Sequence, residues 1–366
     1  MGGCAGIVAS SCFRLFPDLP YILPQPLKDI PDCSKAHPGK ALRQTTLRLY
    51  FNGLSLLNPE FVVKKVKSLG IKAISFWVDL SWERIPEYVE IMASEFENIN
   101  ATPFHDPSFK NEPGWEDGLR RDAEKTIKAL ARLGINNYPW MIECNLYDYW
   151  WNGQFEDFVN RNQLARQFNT FYEIAHSANP DANVLIVPYP CVQMNHDSGK
   201  NGWKDWWVNY GEKMKFDQVA LDAHVGVWIW ARTNQALYDK IIDPVCFLKK
   251  RGHQVQYIEV GYPTCRGMKP RVGGYGWGRE QDQVELLETC YQAVIDMGVP
   301  WMQICEFTDP VAKREYDYAS LGNDQGEIAK FLGILPVREE RHFGLLKPDG
   351  TEKKACNWVR KITKAK

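Results

Sequence analysis

Two glutamates, Glu259 and Glu143, stand where stretches predicted to be buried strands come to an end. The first closes residues 255–259, with Gly-Tyr-Pro after the next residue, and the second closes residues 137–143. Short runs of β-branched and aromatic residues predict buried strands. A carboxylate at the end of such a strand is costly unless it is paired or used. Two carboxyl groups that face each other can act as nucleophile and general acid on a glycosidic bond.

The chemistry fixes what each glutamate must do. A double displacement with retained configuration needs the two carboxyls about 5 Å apart. Glu259, as nucleophile, must stay ionised, whereas Glu143, as acid/base, must hold a proton near neutral pH. The second requirement needs a pKa raised by burial and by the neighbouring charge. The competing interpretation is that each glutamate forms a buried ion pair across the fold.

Further polar and aromatic residues surround these strand ends and are predicted to bind substrate. They are His224, Asp222, Trp228, Trp230, Tyr262, Trp277, Trp82, Asn145 and Glu306. His224 could orient Glu259 or bind a sugar hydroxyl, and Asp222, two residues earlier, shares its face of the strand. The tryptophans and Tyr262 offer flat rings that stack on sugars. The alternatives are a satisfied core histidine and aromatic rings that only fill the core.

The elements that position these residues alternate strand with helix from residue 45 onward, which indicates a parallel α/β fold. The predicted strands are 46–52, 71–78, one weak strand within 99–109, 137–143, 184–189, 216–223, 255–259 and 301–306. Helices are predicted at 59–69, 86–96, 118–133, 161–177, 236–250 and 281–297. We expect a (β/α)8 TIM barrel over residues 45–366, preceded by an irregular, proline-containing arm over residues 1–44. In such a barrel the ends of the strands carry the catalytic groups.

Several segments resemble the clan A retaining glycoside hydrolases. Glu259 with Gly-Tyr-Pro resembles the nucleophile strand, and residues 216–228 resemble the sixth strand with His224 at the family's His or Tyr position. Similar segments are residues 179–184 before strand five, Phe307 and Asp309 after strand eight, and the closing residues 342–350. The resemblance implies a β-glycoside hydrolase that acts on an oligo- or polysaccharide of galactan, mannan or glucan type, without a cofactor.

The acid/base strand departs from the family pattern. The family places Asn directly before the catalytic Glu, but here Ile142 precedes Glu143, and Cys144 and Asn145 follow it. Either Glu143 is the acid/base, or Asn145 occupies that position and the chain is a non-catalytic glycan-binding barrel. We favour Glu143, because protonating a leaving group needs an ionisable side chain. Glu112, in an Asn-Glu-Pro triplet, matches the family motif by letter but does not follow a buried strand.

Composition narrows the class of partner. The formal net charge of -1 argues against a nucleic acid and suits a neutral ligand. No apolar run reaches the length of a membrane span. The ten cysteines show no metal-binding spacing, and Cys144, Cys290 and Cys305 fall in core segments. We therefore expect no metal, at most one disulfide and a cytoplasmic location, with a trimmed export signal left open.

Overall fold

The computed structural model describes residues 45–51, 59–109, 112–142, 144–145, 158–190, 203–225, 231, 233–262, 264, 279–309 and 343–364. The predicted arm at residues 1–44 lies outside the described residues. Among the described helices, none combines the length and the apolar composition that crossing a bilayer requires.

Eight parallel strands close into a barrel in chain order, each paired with the next and β8 paired with β1. The strands are β1 (Thr46–Tyr50), β2 (Ala73–Asp79), β3 (Asn98–Phe104), β4 (Asn137–Trp140), β5 (Asn183–Ile186), β6 (Gln218–His224), β7 (Val255–Gly261) and β8 (Trp301–Ile304). The predicted (β/α)8 TIM barrel is confirmed.

Helices connect the strands and form the outer layer. The described α-helices are α1 (Pro59–Ser68), α2 (Glu87–Glu95), α3 (Asp106–Phe109), α4 (Trp115–Arg132), α5 (Phe158–Ala178), α6 (Trp203–Asn209), α7 (Asn234–Lys250), α8 (Glu280–Asp296) and α9 (Lys354–Lys364). The predicted helices each correspond to one of these, with ends shifted by up to three residues. The short helices α3 and α6 and the last helix α9 were not predicted.

The weakly predicted third strand is a full partner in the barrel. Residues Asn98–Phe104 pair one to one with Ala73–Asp79 of β2. Its sequence, Asn-Ile-Asn-Ala-Thr-Pro-Phe, lacks the β-branched run that marks a strand, so pairing with a neighbour rather than local propensity defines it. Strands β4 and β8 end earlier than predicted, at Trp140 and Ile304.

Alternation along the strands divides the core into two layers. Side chains such as Leu47, Leu49 and Tyr257 face the helices and belong to the large outer core. A smaller cluster fills the barrel itself: Ile142, Leu185, Val187, Ala220 and Ile258, with Trp77 packed against it. Successive strand residues point to opposite faces, so residues two apart from these also face the barrel interior.

Arg48 crosses the barrel interior near the N-terminal ends of the strands. Its guanidinium donates to Gln256 Oε1 at 2.7 Å and to Asn98 Oδ1 at 2.5 Å, and it lies 4.6 Å from the centre of the Trp301 ring. Burial lowers the Arg48 pKa to about 9. A buried arginine inside a barrel usually pairs with a carboxylate, and Glu259 and Glu306 are candidates from the sequence. The structure instead pairs the two terminal nitrogens with amide oxygens, and Nε has no hydrogen-bond partner among the described residues.

The described cysteines are mostly buried thiols. Cys144, Cys290 and Cys305 are free and buried, as predicted, and so is Cys356. Burial raises the pKa of the Cys290 thiol to about 12, so this thiol stays protonated and unreactive. Cys246 of α7 is disulfide-bonded, and its partner lies outside the described residues.

Candidate active site

Strand β7 carries Glu259, and regular alternation would point that side chain away from the barrel mouth. Ile258 belongs to the cluster inside the barrel. Tyr257 faces the other way, and its hydroxyl donates to the carbonyl oxygen of Ile241 in α7 at 2.6 Å. Because neighbouring residues alternate, Glu259 and Tyr257 would share the helix-facing side of a regular strand.

A bulge at Glu259 reverses this orientation. Between the pairs Asp222↔Ile258 and His224↔Gly261, β7 contains one residue more than β6. Between Tyr257↔Met302 and Val260↔Ile304, β7 likewise contains one residue more than β8. Glu259 has a φ of 56°, a left-handed conformation that is unfavourable for any residue with a Cβ. The extra residue re-aims the side chain, as bulges beside active sites do.

The Glu259 carboxylate lies beside two side chains from β6. His224 Nε2 lies 3.1 Å from Glu259 Oε2 and 3.3 Å from Asp222 Oδ1. Asp222 is completely buried, and His224 and Glu259 are each 8% exposed, so the group opens narrowly towards solvent. Ala220, Asp222 and His224 alternate onto the inner face of β6. The structure therefore brings together Glu259, His224 and Asp222, as their places on the strands predicted.

The same three residues form a possible cation site. One donor atom from each of Asp222, His224 and Glu259 lies within 4.8 Å of the other two. Two carboxylates and one imidazole suit zinc or a similar divalent ion. The hydrogen bond between His224 and Glu259 forms without an ion.

The end of β4 shows a second backbone distortion. Met141 has a φ of 55°, and among the described residues only Met141 and Glu259 combine a side chain with a positive φ. These two positions fall on the two strands that were predicted to carry the catalytic glutamates. Strained backbone of this kind is concentrated at functional sites, so it marks the ends of β4 and β7. Glu143 itself lies outside the described residues.

The side chain of Asn145 is committed to hydrogen bonds with the backbone. It is completely buried, its side-chain amide donates to the carbonyl oxygen of Tyr189 at 2.8 Å, and its Oδ1 accepts from Tyr189 N at 2.6 Å. These bonds fasten the chain after β4 to the chain after β5. The expectation that Asn145 binds substrate is corrected, because both ends of its amide are used inside the protein. Glu112 is exposed just before α4 and does not extend a strand.

The predicted aromatic platforms divide into two groups. Trp82 is 3% exposed and packs edge-on against Tyr88, with ring centres 6.2 Å apart. Tyr262 is 1% exposed and belongs to the outer core. Neither ring offers a face to a sugar, so both are core residues rather than platforms. Trp228, Trp230 and Trp277 lie outside the described residues.

The closing segment forms a wall of the site. Phe343 packs edge-on against the His224 ring, with centroids 5.1 Å apart. The backbone N–H of Leu345 donates to the carbonyl oxygen of Glu306, which is 6% exposed at the end of β8. Asp309 accepts from Gly344 N at 2.8 Å and from Lys353 Nζ at 2.7 Å. The segment that the sequence resemblance singled out is therefore fixed against the strand ends of β6 and β8.

Tyr50 and Trp77 belong to this region but were not predicted from the sequence. Tyr50 ends β1, and its hydroxyl accepts a hydrogen bond from the indole N–H of Trp77 on β2. Burial raises the pKa of Tyr50 well above 10, and the negative charges of Glu259 and Glu306 raise it further. A tyrosine at a strand end resembles an ordinary core residue, so only its position relative to the two carboxylates reveals it.

Comparisons with known proteins find chains of similar fold. No protein-family model matches the chain, and no curated protein matches it in sequence. The fold is similar to that of the β-glycosidase BGL167, with a TM-score of 0.58 and 13% identity over 86% of this chain and 87% of the other. It is also similar to an exo-β-1,4-mannosidase from Opitutaceae bacterium strain TAV5, with a TM-score of 0.56 and 13% identity over 88% and 59%.

A third similar structure is a family 39 glycoside hydrolase from Bacteroides cellulosilyticus WH2, with a TM-score of 0.55 and 10% identity over 88% of this chain and 64% of the other. This chain thus spans less than two thirds of the second and third structures. At such low identity the likeness establishes the (β/α)8 fold that these glycoside hydrolases share.

Proposed function

We propose that the protein is a retaining β-glycoside hydrolase that acts on a β-linked oligo- or polysaccharide. The observation that carries the proposal is the delivery of the Glu259 carboxylate to the barrel mouth by the β7 bulge, where His224 holds it at 3.1 Å. The strained backbone at Met141, at the end of β4, supports Glu143 as its partner. The glycosidases of similar fold add weight to this class of reaction.

The reaction would proceed in two displacements. Glu259 attacks the anomeric carbon and forms a glycosyl ester, while the bond to the leaving oxygen breaks and that oxygen takes the proton of Glu143. Glu143 then removes a proton from water, the water oxygen attacks the same carbon, and Glu259 leaves as a carboxylate. A donor at His224 Nε2 keeps the Glu259 carboxylate oriented for this attack.

The rival from another class is a glycan-binding barrel without catalysis. It depends on Asn145 standing in the acid/base position. The buried amide of Asn145 is bonded to the backbone of Tyr189, which argues against that alignment. We therefore retain Glu143 as acid/base in the proposal.

The test uses a panel of 2,4-dinitrophenyl β-galactoside, β-mannoside and β-glucoside, together with the natural disaccharides. Wild type is expected to hydrolyse at least one with retention, observed by NMR of the first-formed anomer. A matching 2-deoxy-2-fluoro glycosyl fluoride should label Glu259, which peptide mass spectrometry would locate. Glu259→Gln should be inactive, and Glu97→Gln, which changes an exposed carboxylate paired with Lys72, should match wild type.

Glu143→Gln separates the enzyme from its rival. Dinitrophenol needs little protonation to leave, so the first step should survive while natural disaccharides are no longer cleaved. Azide should rescue the second step, because it needs no general base. Unchanged cleavage of the disaccharides by Glu143→Gln would remove Glu143 from the mechanism. Wild type that binds these sugars but cleaves none would establish the rival.

A further inference from the structure

The side chain of Tyr50 faces the barrel interior at the mouth. Arg48 crosses the interior to reach Gln256, and Tyr50, two residues later on β1, shares that face. The backbone carbonyl of Tyr50 accepts from the N–H of Phe307 at 2.9 Å, so β1 ends directly beside Glu306. Tyr50 is partly exposed, unlike Leu49 and Phe51 on either side of it, which are completely buried.

The hydrogen bond with Trp77 determines where the phenolic proton can go. An indole N–H can only donate, so the Tyr50 oxygen must be the acceptor in this pair. The hydroxyl still has its own proton to donate. No acceptor for that proton is found within the part of the chain that the structure describes, although Tyr50 is largely shielded from solvent.

The surroundings keep this proton in place. Burial and the charges of Glu259 and Glu306 raise the pKa of Tyr50 well above its usual value, so the phenol stays protonated across the range in which the protein would work. Trp77 itself packs against the interior cluster that contains Ile258, the neighbour of Glu259. The donor is therefore pre-oriented by one side chain and lies in the electrostatic field of the candidate nucleophile.

We propose that Tyr50 is a substrate-binding residue that donates its phenolic hydrogen bond to a hydroxyl oxygen of the sugar unit bound over Glu259. This inference rests on the proposed function for the identity of the ligand. A donor held in place before the sugar arrives costs little reorganisation when binding occurs. It would select a sugar with a hydroxyl at that position over one without it.

The experiment compares Tyr50→Phe with wild type on the best aryl β-glycoside and on its monodeoxy analogues, one for each ring hydroxyl. Tyr50→Phe keeps the ring and removes the proton, so kcat/KM should fall by about 10-fold on the parent substrate. For one analogue, which lacks the contacted hydroxyl, wild type and variant should be equal, because contacting partners are not additive. Tyr238→Phe, which removes a hydroxyl bonded to Asp296 on the protein surface, should leave every rate unchanged.

An equal loss on every analogue would show that Tyr50 only supports packing, and no loss at all would show that its proton is unused. Either result overturns the inference while the proposed function stands. Trp77→Phe is the second variant. It keeps the Tyr50 phenol but removes the hydrogen bond that orients it, so it should reduce the preference for the parent substrate over the analogue that lacks the contacted hydroxyl.

Calorimetric binding of the parent and deoxy methyl glycosides gives a readout independent of hydrolysis. Suppose that wild type binds one deoxy glycoside more weakly than the parent, that Tyr50→Phe does not, and that wild type cleaves no substrate. That result would contradict the proposed function alone. Equal binding by wild type and Tyr50→Phe throughout would contradict the inference.

Discussion

His224 Nε2 lies between two buried carboxylates, 3.1 Å from Glu259 and 3.3 Å from Asp222. One N–H can donate one strong hydrogen bond, and the shorter distance gives it to Glu259. Asp222 lies beside the same nitrogen, at 3.3 Å, on the inner face of β6. His224 therefore links the completely buried Asp222 of β6 to the candidate nucleophile on β7.

The left-handed backbone at Glu259 gives a stability prediction. Glycine adopts a φ of 56° without strain, whereas alanine does not. We expect Glu259→Gly to be more stable than Glu259→Ala by about 1 kcal/mol. Urea denaturation followed by circular dichroism would measure both free energies of unfolding.

The matched control for that comparison is the next residue, Val260, which has no left-handed conformation. There glycine should be less stable than alanine, because it loses more conformational freedom on folding. The same order at both positions would mean that Glu259 is not strained in solution.

The sequence was sufficient for the architecture because alternating strand and helix patterns are local. It was weakest at β3, whose Asn98–Phe104 register with β2 depends on a neighbouring strand rather than on its own residues. It also extended β4 and β8 too far, since apolar residues such as Ile142 continue past the last ladder pair to fill the barrel. Tertiary packing determines the residue at which each strand ends, and the local sequence pattern does not show that packing.

The site was only partly predictable for a related reason. Glu259, His224 and Asp222 were found because charges are conspicuous at strand ends. The bulge that turns Glu259 inward leaves no mark in the sequence, since Glu259 is not a glycine. Aromatic residues gave the least reliable signal: Trp82 is a core residue, whereas Tyr50 was overlooked at the mouth.

Zinc should inhibit the enzyme by occupying the group formed by Asp222, His224 and Glu259. Donor atoms in a tetrahedral site with bonds of 2.0–2.1 Å lie about 3.3 Å apart. His224 Nε2 already lies 3.1 Å and 3.3 Å from the two carboxylates. We expect added zinc chloride to lower activity in competition with substrate and EDTA to restore it.

The matched variant for the zinc prediction is Asp222→Asn, which removes one anionic donor and should raise the inhibitory concentration at least about tenfold. Loss of wild-type activity on EDTA treatment alone would contradict the proposed metal-free mechanism. Equal zinc sensitivity of both proteins would place the inhibitory ion elsewhere.

Lys353 and Asp309 form a buried ion pair that fixes the closing segment. Their nitrogen and oxygen lie 2.7 Å apart, and their side chains are 2% and 5% exposed. Burial lowers the Lys353 pKa although Asp309 opposes that shift, which shows that desolvation is the larger effect. Lys353→Met should leave Asp309 buried without its cation and cost about 3–5 kcal/mol of unfolding free energy.

The control for this pair is Lys347→Met. Lys347 faces Glu280 at 3.4 Å, and its side chain is 47% exposed. Because exposed ion pairs contribute about 0–1 kcal/mol, this variant should unfold at nearly the wild-type urea concentration. Similar losses for Lys353→Met and Lys347→Met would show that Asp309 is hydrated when its partner is removed.

Glu352 should make stability depend on acid pH. Hydrogen bonds from Arg360 and Lys65 lower its pKa from 4.5 to about 2, and the carboxylate joins α1 to α9. A lowered carboxyl pKa stabilises the folded protein above the unfolded value, and this contribution is lost as pH falls through the folded value. The contribution should therefore be complete above pH 4.5 and decline towards pH 2.

Solvent screening limits how much the Glu352 pKa shift contributes to the free energy of unfolding. At about 1.4 kcal/mol per pKa unit the shift sets an upper bound of about 3 kcal/mol, and screening of a side chain that is 28% exposed reduces this to about 1–2 kcal/mol. We expect Glu352→Gln to unfold more easily than wild type at pH 7, and the difference to shrink steadily between pH 4.5 and pH 2. Urea denaturation across that range measures the difference in unfolding free energy.

Glu97→Gln, at an exposed ion pair with Lys72, should follow wild type throughout. A gap between Glu352→Gln and wild type that stays constant down to pH 2 would mean that the lost contribution is packing and not charge.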